Sequence, residues 1–374
     1  MTPEESKQGL ISINAEQLVL RMDQRLDLMD RLIEEIPDST DRHALDNMAC
    51  ITLEVANRFI DDPESIDFSK YRLIDDDAAH FLSDFSWDFS FNVFAYLVCI
   101  SDKSAKYIAK YPNLLDLSDL KNLSVESARA LSAHSGEGGL VLDGLTNLSD
   151  AVTEALSEYN GTLNLDGITN LSDKSAGSLA KHRGNLSLGG LRSLSDSAAE
   201  CLSRHAGHSL SLYSLSHLST RSAAAFSNYE GFLSLGNLSS LSDEAAEALS
   251  KQKGSLYLGA ESLSDSVIIA LSKHQGDSLS LHALKTLTER GAEALSKYKG
   301  NLDVGPESLT EAAIIALSKH QGNSLFLNNL KTLTETGAEA LSKYKGDLLL
   351  CELESKSKAV EEALAKCRGY EPIE

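Results

Sequence analysis

A 23-residue unit recurs from about Leu115 to Leu350, and no other feature limits the fold of this chain so tightly. Laid in register, residues 185–207, 232–254 and 324–346 share one pattern. It reads L-x-L-x-x-L-x-x-L-[S/T]-[D/E], then an alanine-rich stretch, then in half of the copies Lys-(His/Tyr)-x-Gly. Periods of this size belong to stacked supersecondary units, each unable to bury its apolar face alone. The expectation is therefore an α/β solenoid: short parallel strands on a concave face and short helices on a convex one.

Local chemistry supports that reading. L-x-L alternation turns both leucines inward and leaves the flanking positions outward on a short strand. A Ser or Thr followed by Asp or Glu caps the next helix, and the acid favours the positive end of its dipole. In Ser242–Leu249 the alanines and Leu249 would face the core. Lys251 follows at the negative end, and Gly254 is expected to allow a left-handed turn. Residues 256–301 and 302–347 are near-copies, so a two-unit block has been duplicated within the chain.

The flanks depart from the pattern. In 1–62, Met22, Leu26, Met29, Ile33 and Ile36 form an amphipathic stripe ended by Pro37, and Leu45, Met48, Thr52, Val55 and Phe59 suggest a second helix. This hairpin is expected either to cap the open edge of the solenoid or to dock a partner. Residues 63–113 fit two degenerate units. The first places Ile66, Phe68, Tyr71 and Ile74 on the template positions, and the second carries an insertion near Trp87. Regular units fill 114–347, and 348–374 supplies a last strand and a capping helix ending near Gly369.

The repeated L-x-L strand with a helix behind it resembles the leucine-rich-repeat family, in its short bacterial form of about 23 residues. The resemblance covers roughly 63–350. It implies a protein-binding scaffold whose ligands sit on the strand face. One departure stands out: the family's asparagine is replaced by leucine, as in Leu191, Leu238 and Leu330, so an apolar layer is expected where an asparagine ladder would run. Some bacterial members carry a ubiquitin-ligase domain with a nucleophilic cysteine. The short tail after Leu350, with Cys351 and Cys367, leaves no room for one, and no enzyme is expected.

Charge and cysteines narrow the setting. The chain has 374 residues and a formal charge of -21, which disfavours nucleic acid or an anionic membrane as partner and permits a basic protein. An acidic mimic of nucleic acid, occupying a DNA-binding protein, is one alternative, and an enzyme whose site the sequence does not reveal is the other. Five scattered cysteines without a C-x-x-C pair suit reduced thiols in the cytoplasm. Neither a secretory leader nor a membrane span is expected, and no cofactor.

Outward strand positions are mostly Ser, Asn or Gly, against which Tyr213, Phe232 and Tyr257, in three successive units, form a candidate partner-binding patch, with His282 and Phe326 further along. A second series, His134, Tyr159, His182, His205, Tyr229, His274, Tyr298, His320 and Tyr344, precedes the repeat glycines. These rings are expected to pack over the turn with their polar tips in water. His182 and His205 could share a metal, although no third ligand is evident.

Overall fold

A computed structural model gives the fold of residues 49–84, 93–354 and 357–370. The expected first helix of the hairpin and the insertion at Trp87 lie outside these residues. Eleven strands form one parallel sheet, from Leu115–Asp116 to Asp347–Leu349, each bonded to its neighbours in sequence. Register follows the repeat: Leu163 faces Leu186, and Leu279 faces Leu302. Behind each strand stands a helix of seven or eight residues, such as Asp196–Leu202 or Glu311–Leu317.

The leucines explain the stacking. Both strand leucines of each unit, such as Leu186 and Leu188, are buried, as are Leu191, Leu238 and Leu330. The turn after the strand is closed by its own backbone: the Leu191 N–H donates to the Leu188 carbonyl at 3.1 Å, and Leu330 repeats the bond to Leu327. With that turn satisfied, no asparagine is needed, and leucine adds a buried side chain worth roughly 1.5–3 kcal/mol.

The cap residues do more than end helices. The Ser222 N–H donates to the Ser219 hydroxyl at 2.9 Å, the ordinary cap bond. The Ser219 hydroxyl in turn donates to Asp196, the first-turn acid of the preceding unit, and the Ser222 hydroxyl reaches the same carboxylate at 2.8 Å. Ser172 and Ser175 hold Asp150 in this way, and Thr288 holds Asp265. The [S/T]-[D/E] pair is thus a latch between units as well as a cap. These hydroxyls hold the Asp150 and Asp196 carboxyls below the usual carboxylate range.

At the other end of each helix the rings form a second ladder. Contrary to the sequence expectation, their tips are buried and not in water. The Tyr298 hydroxyl donates to the Gly276 carbonyl at 2.7 Å, and Tyr344 donates to Gly322 at 2.8 Å. His274 Nε2 lies 3.0 Å from the Gly254 carbonyl oxygen, and His320 Nε2 lies 3.1 Å from that of Gly300. Gln252 fills the same place with its amide, donating to Gly231 at 2.8 Å. From His205 onward each rung therefore binds the glycine carbonyl of the unit before it, whereas His134 Nδ1 lies against the Ala109 carbonyl and the ring nitrogens of His182 are buried without a hydrogen bond.

This geometry also corrects the role given to the glycine. Gly254 has no positive φ; among the described residues only Gly138, Gly139 and Gly369 do. A Cβ on Gly254 would sit 2.0 Å from the Gly231 carbonyl oxygen, and one on Gly207 would sit 1.9 Å from that of Gly184. Close approach between units is what excludes a side chain there.

The N-terminal units differ from expectation. The second hairpin helix begins only at Leu53, with Thr52 as its cap, and Ala49–Ile51 before it is a strand. That strand pairs in parallel with Tyr71–Ile74. In the first degenerate unit the strand is therefore not at Ile66–Phe68 but directly before the cap Asp75. Phe68 is instead drawn into a short 3-10 turn, its ring edge-on to Phe59 at 4.7 Å, and this aromatic packing displaces the usual strand. At the far end, the Leu348 N–H donates to the Arg368 carbonyl and Arg368 Nε lies 2.7 Å from Asp347, so the last strand's edge is covered.

Two glycine substitutions should move stability in opposite directions. Gly207→Ala should lower it by roughly 1–3 kcal/mol through backbone overlap. Gly177→Ala, inside a helix with nothing nearer than Cys201 Sγ at 3.8 Å, should raise it by about 0.5–1 kcal/mol. Denaturant titration reads both.

The rings also set a pH dependence. Burial holds His134, His182, His205, His274 and His320 below the usual histidine value of 6.5. The unfolded chain therefore binds more protons than the folded one as pH falls below 6.5, so stability is full above that value and is lost beneath it. Thermal melts between pH 7.5 and 5 should show this loss. His274→Gln, copying Gln252, should make it shallower by up to one proton taken up per unfolding event.

Candidate functional site

The strand face is built by register. Three outward rows run across the sheet, one before, one between and one after the paired leucines of each strand. The middle row passes Asn164, Ser187, Ser211, Ser234, Tyr257, Ser280, Asp303 and Phe326, fixed by successive strand pairs. Side chains here do not pack the core, so their identity is free to serve a ligand.

The predicted residues fall on this face, though not as one ring cluster. Tyr213 is 52% exposed and Phe232 41%; with Tyr96 they are the large apolar side chains most open to solvent among the described residues. Tyr257 and Phe326 are half-buried and His282 is exposed. Tyr213 lies in the third row, with its ring resting on Gly236 of the next unit: a Cβ there would meet the ring at 2.2 Å. Phe232 lies in the first row, opposite Ser209. The middle row thus separates it from Tyr213. Tyr257 has its phenol raised above the usual value by burial first, then by Tyr213 and Asp303.

A polar group that the sequence did not single out sits beside Tyr257. The Ser280 hydroxyl donates to Asp303 Oδ2 at 2.8 Å, and His282 Nδ1 is 3.6 Å from the same oxygen. Asp303 Oδ1 is buried and has no hydrogen-bond partner. Phe326 faces Asp303 on the next strand. Serine and histidine both turn to the carboxylate, so the three do not form a nucleophile–base pair. Only its outward register position could have marked Asp303 in the sequence.

Further acids line the opposite half of the face. The Asp166 N–H donates to Asp143 Oδ1 at 2.9 Å, and Asp166 accepts from the Ser187 hydroxyl and the Gly189 N–H. Burial pushes the Asp143 carboxyl above its ordinary value, and the charges of Asp166 and Asp116 add to that. The thirty-three outward positions of the eleven strands contain five aspartates and no Lys or Arg, although the chain has 34 basic residues.

The histidine pair gives no metal centre. His182 and His205 stack with centroids 5.9 Å apart and planes 14° from parallel. Ring-nitrogen lone pairs lie in the ring plane, so stacked rings do not converge on one ion. Among the described residues no group of three or more His, Cys, Asp or Glu is placed to hold a metal. No described helix is long and apolar enough to cross a membrane.

The chain matches no protein-family model and no curated protein. Solved structures do resemble it. An internalin of Listeria monocytogenes is 17% identical over 74% of this chain and 80% of its own, with a TM-score of 0.46. A leucine-rich-repeat protein of Leptospira interrogans is 14% identical over 85% and 98%, with a TM-score of 0.40. TLR13, solved in a complex with ssRNA13, is 19% identical over 73% of this chain and 39% of its own, with a TM-score of 0.42. The architecture rests on the strands, helices and registers described above, and these likenesses add no partner to it.

Proposed function

We propose that this chain is a protein-binding scaffold without catalytic activity, recognising its partner through the strand face. The observation that carries this reading is the exposure of Tyr213 and Phe232 in adjacent units, on a face otherwise made of small polar residues. Rigid aromatics among small neighbours are the usual anchors of protein interfaces. Tyr257, His282 and Phe326 extend the surface along the sheet. The acidic balance of the chain, with residues 1–62 at 14 acidic to 6 basic, would steer a basic partner and quicken association. Toward a partner enzyme the scaffold would serve as adaptor, inhibitor or recruited substrate. Five scattered cysteines suit a reducing compartment such as the cytoplasm.

Mimicry of nucleic acid is supported by Asp143 and Asp166, which follow the paired leucines of adjacent strands roughly 4.8 Å apart, with Asp116 one row over on the strand before. The two readings differ in salt dependence and in their need for the aromatics.

The test is capture of partners by the tagged chain, beside a variant carrying Tyr213→Ser, Phe232→Ser and Tyr257→Ser. A stoichiometric protein retained at high salt by the parent and lost by the variant is expected, each substitution weakening binding by about 1–2 kcal/mol. Circular dichroism should show the variant folded. A partner held equally by both proteins and released by salt would replace the scaffold reading with mimicry.

A further inference from the structure

We infer that the strand face around Asp303 receives an arginine side chain of the protein partner, an inference that rests on the scaffold reading above. Asp303 Oδ1 is shielded from water and meets no donor in the chain, so the 23% of the side chain left exposed offers a partner the Oδ2 side, where the Ser280 hydroxyl donates and His282 lies near. A carboxylate with one firm donor is short of hydrogen bonds until another arrives. Phe326, in register on the next strand, presents an aromatic surface about 4.8 Å along the sheet. A guanidinium can donate to Oδ2 and stack on the Phe326 ring at once, being planar and weakly hydrated. A lysine ammonium is compact and strongly hydrated, and suits the site less well.

Charge complementarity points the same way. No Lys or Arg occupies an outward strand position, so no permanent cation on the face competes for Asp303. The chain itself displays the contact at its end: Asp347, another outward strand aspartate, is held by Arg368 at 2.7 Å. Asp303 has no such arginine of its own.

The internal duplication supplies an independent observation. Between 256–301 and 302–347, four of six outward strand positions differ: Tyr257 against Asp303, Ser280 against Phe326, His282 against Asn328, and Asn301 against Asp347. Only nine of the other forty positions differ. Exposure alone does not account for this, since exposed Glu261, Lys273 and Glu293 are repeated unchanged as Glu307, Lys319 and Glu339. Change has gathered where a ligand would touch.

The experiment selects a displayed peptide library on the intact chain, with Asp303→Asn as counter-selection. Asparagine keeps an acceptor for Ser280, and an unchanged thermal melt confirms folding. Recovered peptides should be enriched in arginine. Replacing that arginine by citrulline, or Asp303 by Asn, should each weaken binding about tenfold, and the two together little more than either alone. Phe326→Ser should weaken the arginine peptides as well. Peptides without arginine whose binding ignores Asp303→Asn would overturn the inference. If such peptides still require Tyr213 and Phe232, the scaffold reading stands without it; if they require neither, both fall.

Discussion

The bond from a ring to the glycine carbonyl of the preceding unit is what makes a stack out of these repeats. A helix of seven residues and a strand of two to four have little stability alone. Each unit must be held by its neighbours along its whole circumference. Strand pairing serves one side, and the hydroxyl–carboxylate latch serves the helix starts. The ring ladder serves the helix ends, where close approach leaves room only for glycine. His, Tyr and Gln all occupy rungs because each offers a donor at the right reach, and reach matters more there than residue type.

Much of this was legible in the sequence, for a physical reason. Leucines at fixed spacing report the core directly, so the regular strands and their inward residues could be placed from Leu115 onward. Cap residues likewise announced the helix starts. The ladder was visible as a pattern, yet its bonding was not, because its acceptor is a main-chain carbonyl that every residue possesses. The N-terminal units misled for another reason: Phe68 fits the template by apolarity, but its ring packs on Phe59 and pulls the backbone out of the strand.

The candidate site was legible only in part. Register told which positions point outward, and size then selected Tyr213, Phe232, Tyr257, His282 and Phe326. Asp303 escaped because its distinction is an unmet oxygen, a property of the surroundings and not of the residue. The same register separates two kinds of demand on the chain. Inward positions answer to packing, whereas outward strand positions answer to almost nothing inside the molecule, which leaves them open to recognition.

The duplicated block has a consequence for how such a chain can grow. Each copy presents the same contacts at both of its ends. His274 meets Gly254 as His320 meets Gly300, and Gln275 donates to Ser250 as Gln321 donates to Ser296. Inside each copy the units are joined alike too, Lys285 binding Glu261 as Lys331 binds Glu307. A further copy spliced between them would find both junctions already solved. Length is therefore a heritable variable that can change in whole blocks, lengthening the sheet by about 10 Å at each step without a new interface having to evolve first.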